Sequence, residues 1–339
     1  HILELFHGPT LAFKDVGARF MARMMAALRP SDAPPITILA ATSGDTGGAV
    51  ADAFLGVPGI RVVILFPKGK VSARQEVQFT TLGGNVTAVE VAGVFDDCQR
   101  LVKHAFADEA LRLEAEISSA NSINIGRLVP QTFYYAHAWA SHPEFPAPLT
   151  VAAPSGNFGN LTAGLMARRM GIPIQNFVAA TNANDVVPAY LSTGRFRARP
   201  SVATLSNAMD VGNPSNLERI RWLFSEDVQT MRRTIQGSAW TDEQTSACIR
   251  DTSDRHGVVL DPHTAVGLLG LRDFQTSHPG TTGVVLATAH PTKFAETVEL
   301  LVGHHIAVPP ALTRRLDGER RVVSIRPDSK ALRELLLEV

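Results

Sequence analysis

Apolar and polar positions along the chain switch repeatedly between two periods. Continuous apolar runs, ITILAA (36 to 41), RVVILF (61 to 66), LTVAA (149 to 153), NFVAAT (176 to 181) and GVVLATA (283 to 289), read as buried strands, and VTAVEV (86 to 91) as a strand with clean alternation. Between them lie stretches with apolar residues three and four apart. After Lys14, Val16, Phe20, Met21, Met24, Met25 and Leu28 share one face, which predicts a helix with that face buried, ending before Pro30. AVADAFLG predicts a short helix closed by Gly56. Ser72 with Gln75 predicts a capping box for a helix that stops at Gly83 and Gly84. DDCQRLVKHAFAD, the aromatic stretch from Phe133 to Trp139, LTAGLMARRMG, much of 216 to 255 with a second capping box at Thr241 and Gln244, and the segment after Pro291 complete the helical set. Apolar strands alternating with helices imply an α/β fold with a parallel sheet covered on both faces. No period of 20 to 50 residues repeats.

Composition narrows the function classes. The chain of 339 residues is 45% hydrophobic and 19% charged, with zero formal net charge, as in a globular protein that can bury a substantial core. No long-range field favours nucleic acid or an anionic membrane, and no run approaches the roughly 20 apolar residues of a membrane span. The chain opens HILELF, with neither an initiator Met nor a basic leader, so the expectation is that preceding residues are missing. Cys98 and Cys248 are far apart and belong to no CxxC pair, which argues against a metal site or a disulfide framework and for a reducing, cytoplasmic setting.

Candidate chemistry sits in the loops. In HGPTLAFKD a single lysine, Lys14, lies between Leu11, Ala12, Phe13 and the start of a helix; an amine desolvated there loses its proton more readily and can form a Schiff base. Alone, it also reads as an ordinary first-turn lysine. PSGNFGN (154 to 160) joins a buried strand to a helix. Gly156 and Gly159 let backbone approach a ligand, and the helix start offers unpaired N–H groups suited to a phosphate; a tight turn with glycine for backbone reasons is the other reading. It is neither a Walker A loop nor GxGxxG. TSGDTGG (42 to 48) offers Thr42, Ser43, Asp45 and Thr46 to an α-carboxylate or a cofactor hydroxyl, or caps a helix. Thr288 ends a core strand, where ligands sit in open α/β sheets. His290 beside it is a candidate base or a hydrogen-bonded structural residue. Ser122, Asn124 and Arg127 in SINIGR form a set of anion donors, or a helix cap with a solvated arginine; His304 and His305 read as surface residues.

In this order, HGPTLAFKD, ATSGDTGGAV, SANSIN, PSGNFGNLTAG, ATNANDVVP, TLSNAMDVGNPSN, DPHTAVG and TAHPTKF closely resemble the threonine synthase family of the bacterial and fungal type, from about residue 3 to the C-terminus. The resemblance implies pyridoxal 5′-phosphate (PLP), the tryptophan synthase β-like fold called fold type II, and a family N-terminal segment absent from this chain. It implies two α/β domains, each with a mostly parallel sheet flanked by helices: a small substrate-binding domain of 36–144, and a large PLP-binding domain of 1–35 and 145–339, with PLP between them. Ser31 to Pro35 and the proline-rich HPEFPAP (142 to 148) are the crossings. Lys14 would be the Schiff-base lysine and general acid–base. Gly156, Asn157, Phe158, Gly159 and Asn160 would hold the cofactor phosphate, Asp45 falls where many relatives have an asparagine near the 3′-oxygen, and Thr288 would face the pyridine nitrogen. A hydroxyl partner leaves that nitrogen largely unprotonated, which suits elimination and replacement better than transamination.

The implied substrate is O-phospho-L-homoserine, taken to L-threonine and phosphate by γ-elimination and addition of water at Cβ. Thr42, Ser43, Gly44 and Thr46 would grip the substrate carboxylate. Ser122, Asn124 and Arg127, with Lys68 or Lys70 as further candidates, would take its phosphate. No metal, nucleic acid or membrane is implied, and the chain is expected to be a monomer or homodimer. Three competitors remain: a phospho-lyase that gives 2-oxobutyrate from O-phosphohomoserine, a serine or threonine dehydratase, and a catalytically silent binding protein on the same fold.

Overall fold

The computed structural model describes residues 1–30, 32–141 and 149–338. The crossing read at 142–148, and Ser31 of the other one, lie outside the described residues.

Two five-stranded sheets, parallel throughout, organise the chain. One runs β1 (Ile2–Glu4), β9 (Gly283–Ala287), β6 (Leu149–Pro154), β7 (Ile174–Thr181), β8 (Ile235–Ala239). The other runs β10 (Val323–Ile325), β4 (Val86–Val91), β3 (Ile60–Pro67), β2 (Ile36–Ala41), β5 (Ile117–Ser119). Helices pack on both faces. This is why β2 and β3 read as unbroken apolar runs: Ile38, Ala40, Val62 and Ile64 go to one core, Leu39, Ala41, Val63 and Leu65 to another on the opposite face. The α/β class and the parallel sheets are as expected.

By its contacts the chain divides into two units, His1–His7 with Leu128–Ala307, and Gly8–Arg127 with Val308–Val339. These boundaries differ from the domains expected from sequence, because 8–35 and the chain end join the unit built on β2 to β5. The cause is packing. Met21 and Ala22 of helix Lys14–Leu28 lie in one core with Ile38, Val50 and Ile64. Strand β10 pairs with β4, and Leu332, Leu335 and Leu336 of helix Ser329–Glu338 enter the core around Leu101.

The helix after Lys14 forms where expected but turns a different face inward. Gly17, Ala18, Met21 and Ala22 are buried, whereas Val16, Phe20, Met24 and Leu28 are exposed. It packs against helix Asp45–Phe54, whose buried residues include Gly47, Gly48 and Ala51. Met21 and Ala22 share a core with Val50 and Ala51 of that helix, so the face turned inward is the one that carries small residues beside Met21. Four short strands escaped the sequence reading: β1, β5, β8 and β10. Among the described residues no helix is long and apolar enough to cross a membrane.

Candidate active site

In the unit of Gly8–Arg127, the loop before Lys14 is fixed from within. Asp15 is buried and accepts from the Thr10 backbone N–H (2.9 Å) and hydroxyl, while Gln78 Nε2 donates to the Thr10 carbonyl (3.1 Å). Leu11 takes a left-handed backbone, φ +56°, and is buried with Ala12. These constraints set Lys14 as the first residue of its helix, its side chain 15% exposed. Its Nζ stands 5.0 Å from the centre of the Phe13 ring and 3.6 Å from Asp45 Oδ2. The amine therefore has a buried carboxylate beside it as well as an aromatic ring.

Asp45 is the first residue of its helix, not a loop residue as read from TSGDTGG. Its other oxygen, Oδ1, accepts from Gln75 Nε2 at 2.9 Å. Gln75 is fully buried and also backs the turn at Gly44, where φ is +148° and a Cβ would come within 2.6 Å of the Gln75 carboxamide. Only glycine satisfies both conditions. Sequence reasoning gave Gln75 a capping role and missed its reach to Asp45; the two are 30 residues apart, and no local pattern encodes that contact.

The other residues of this turn divide by exposure. Thr42 is buried, and its hydroxyl accepts from the Gly44 and Gly47 N–H groups (2.9 and 2.8 Å) and donates to the Gly44 carbonyl, so it shapes the turn. Ser43 and Thr46 are half-buried. In the SINIGR segment, Asn124 Oδ1 accepts from the Gly126 N–H (2.9 Å) while its Nδ2 donates to the Ser119 carbonyl (2.8 Å), the capping geometry of the structural alternative. Arg127 is not solvated: it is buried, with Nη1 on the Ala120 carbonyl at 2.7 Å. Ser122 is half-buried. Lys68 pairs with Glu90 at 3.2 Å, and Lys70 is exposed.

The unit containing β6 carries the second piece. Strand β6 ends at Pro154, and the turn runs through Phe158 into helix Gly159–Arg169. Phe158 is buried in a left-handed conformation, φ +61°, a strained position for a side chain of its size that the surrounding packing must hold. A Cβ at Gly156 would meet Met209 Cα at 2.7 Å and the Ala208 carbonyl at 3.0 Å, so this glycine is required by a close backbone crossing. Asn157 is tied to residues 215 and 216, its carbonyl accepting from Asn216 Nδ2 at 3.0 Å and its Oδ1 from Ser215. No side chain caps the helix, so its first N–H groups face the turn. Asn160 accepts from the Tyr135 hydroxyl through both its carbonyl and Oδ1 (2.8 Å each), and its buried Nδ2 has no hydrogen-bond partner among the described residues. A buried donor left over beside a helix start suits an anion.

Thr288 follows β9, is buried, and donates its backbone N–H to Thr264 Oγ1 (3.3 Å). His290 proves structural: Nδ1 accepts from the Thr292 N–H at 3.1 Å, capping a short 3₁₀ turn, and burial holds its imidazole below the ordinary value. Two networks in this unit were missed. Asn182 and Asn184 both donate to Asp210, joined by the Thr204 N–H and hydroxyl. Burial pushes the Asp210 carboxyl up to about 6, against the hydrogen bonds from Thr204 and Asn182. The other is Asp261 with His263 and Thr264 at the start of helix Pro262–Ser277. The motifs ATNANDVVP and DPHTAVG marked both places, but polar residues close together in a motif do not reveal which backbone they hold.

The amine at a helix start, the glycine-bearing turn with a spare buried donor, and Thr288 at a strand end all fit pyridoxal phosphate. The family described as "Pyridoxal-phosphate dependent enzyme" matches residues 3–289, which gives the class of the protein. A second family, "Threonine synthase, C-terminal", matches residues 264–336. Threonine synthase of Escherichia coli is 48% identical over 336 residues, covering 99% of this chain and 77% of that protein. The crystal structure of that organism's enzyme aligns with a TM-score of 0.93 at 47% identity, over 99% of this chain and 78% of its own. PLP-bound threonine synthase from Brucella melitensis aligns with a TM-score of 0.92 at 35% identity, over 99% and 78%. The chain belongs to the threonine synthase family of PLP-dependent enzymes.

Proposed function

We propose that the chain converts O-phospho-L-homoserine and water into L-threonine and inorganic phosphate in the cytoplasm, and that Lys14, Asp45, Gly156 to Asn160 and Thr288 hold the cofactor. When bound, PLP supplies an aldehyde for the substrate amine and a ring that spreads charge from Cα. The chain's own residues do the rest. Lys14 Nζ yields its place to the substrate amine and takes the proton from Cα. It then moves protons at Cβ and Cγ as the γ C–O bond breaks, its electron pair leaving on phosphate, and as water oxygen adds at Cβ. Asp45, held by Gln75 Nε2 at 2.9 Å, orients that amine. Ser43, Gly44 and Thr46 take the substrate carboxylate on a turn whose shape Thr42 fixes. Ser122 and Asn124, on a segment anchored by Arg127, take the substrate phosphate, with Lys70 in reserve because Lys68 is engaged by Glu90. Cys98 and Cys248, both buried thiols outside any disulfide, agree with a reducing compartment.

The observation that carries this reading is the Lys14 amine 3.6 Å from the buried Asp45 carboxylate at the start of a helix. Product analysis tests it. After reconstitution with PLP, O-phosphohomoserine should give threonine and phosphate in equal amounts; 2-oxobutyrate in place of threonine means the phospho-lyase, and faster consumption of free threonine than of O-phosphohomoserine means the dehydratase.

A further inference from the structure

The start of helix Pro262–Ser277 does more than cap itself. Asp261, His263 and Thr264 are all buried. Asp261 accepts from the His263 and Thr264 backbone N–H groups, at 2.9 and 3.3 Å, which already satisfies the helix start. A cap needs no imidazole two residues on. Yet the His263 ring is packed 5.0 Å from the Phe294 ring, centre to centre, with both nitrogens engaged: Nδ1 lies 2.8 Å from Asp261 Oδ1, and Nε2 accepts from the Ala208 N–H at 3.2 Å. That second bond fixes the tautomer, since a protonated Nε2 would set donor against donor. The proton sits on Nδ1 and points at the carboxylate.

Ala208 leads directly to the glycine-bearing turn. Its carbonyl, with Met209 Cα, is the backbone against which Gly156 lies too closely for any side chain. The Ala208 N–H faces His263. The 206–209 segment is thus held on one side by an imidazole and supports the turn on the other. Asp261 also accepts from the Thr264 hydroxyl, and Thr264 Oγ1 in turn receives the Thr288 N–H. One carboxylate therefore reaches, each through a single side chain, the support of Gly156 and the backbone of Thr288.

We propose that His263 is a positioning residue for the cofactor phosphate: by accepting the Ala208 N–H it fixes the backbone that supports Gly156, while Asp261 ties that support to Thr288. This rests on the reading that 156–160 binds the phosphate. It predicts a specific loss. Weakening the support lowers affinity for a ligand that carries a phosphate and leaves affinity for the same ring without one unchanged.

The test uses PLP and pyridoxal, which lacks the phosphate, with binding to the folded protein followed by fluorescence titration. His263→Gln places a carboxamide oxygen near the position of Nε2 and can accept from Ala208, whereas His263→Asn reaches only toward Asp261. The expected result is that His263→Asn weakens PLP about tenfold, in line with the loss of one hydrogen bond that holds the supporting backbone, leaves pyridoxal unchanged, and broadens the ³¹P resonance of bound PLP. His263→Gln should restore the preference for PLP to within about threefold of the unsubstituted protein. Imidazole ¹⁵N spectra of the unsubstituted protein should show Nδ1 protonated and Nε2 bare. An unchanged PLP-to-pyridoxal ratio in His263→Asn, an equal loss of both ligands, or a proton on Nε2 overturns the proposal. Asn160→Ala separates the two layers. If it lowers the ratio while His263→Asn does not, only the role of His263 fails; if neither lowers it, the phosphate site itself is misplaced.

Discussion

The lysine-bearing region and the glycine-bearing turn achieve order by opposite means. Around Lys14 the decisive groups can exchange protons, an amine and a carboxylate 3.6 Å apart, with Gln75 holding the carboxylate from behind. Around Gly156 the groups are neutral: backbone N–H donors, the Asn157 and Asn160 amides, the Tyr135 hydroxyl and an imidazole whose proton is turned away. The first arrangement suits a group that must gain and lose protons during a reaction. The second suits holding one fixed anion without any change of charge. Substitutions in the first should therefore act on turnover, and those in the second on cofactor affinity.

The largest effect is expected at Lys14. Lys14→Ala should lose threonine formation by about 10³-fold or more, and with it the visible absorbance of bound PLP, because the variant lacks the amine that serves as base and Schiff-base partner. An activity loss with absorbance retained would break the comparison at its root. Next comes the turn: Asn160→Ala should raise the PLP dissociation constant roughly tenfold and leave turnover at saturating PLP within about threefold, as loss of a single hydrogen bond to an anion implies. Asp45→Leu should cost about 1–3 kcal/mol of stability by stranding the buried Gln75 amide, while Asp45→Asn, whose Oδ1 still accepts from it, should cost less. Urea unfolding curves would measure both.

A smaller effect is tied to pH. The Asp210 carboxyl is raised from 3.8 to about 6 by burial, so the folded protein binds a proton there that the unfolded chain has released. Its contribution to stability is therefore fully present below pH 3.8, falls as pH rises to about 6, and is flat above that. Asp210→Asn should remove this segment of the stability curve. Urea midpoints at several pH values between 4 and 7 would show whether the slope is lost. Least of all should change at His290. His290→Asn, which can still accept from Thr292, is expected to alter turnover by less than about threefold; a loss of about 10²-fold would restore it as a general base.

The same contrast explains what could be read from the chain. Glycine-bearing loops between an apolar run and a helix were legible because turn chemistry is local: Gly156, Gly159 and the strand before them lie within a few residues of one another. So were β2, β3, β6, β7 and β9, whose burial on both faces leaves nearly unbroken apolar runs, and β4, whose apolar residues alternate. Three-residue strands such as β1 and β10 carry no such signal and exist only because a distant strand offers a free edge. The helix after Lys14 misled through Met24 and Phe20, which are exposed, since the face it buries carries Gly17, Ala18 and Ala22 beside Met21, and small residues give no apolar periodicity. The partition at 8–35 and 308–339 failed to show for the same reason, being a matter of which core those helices join. Gln75 and His263 illustrate the remainder: each contact that gives them a role spans tens of residues, to Asp45 and to Ala208.

The central claim is that Lys14 carries the cofactor. Reduction of the PLP-loaded protein with borohydride, followed by digestion and mass spectrometry of the peptides, tests it directly. The phosphopyridoxyl group should be found on Lys14 in the HGPTLAFKD peptide; its recovery on Lys68, Lys70 or Lys293, or on no lysine at all, would contradict the account.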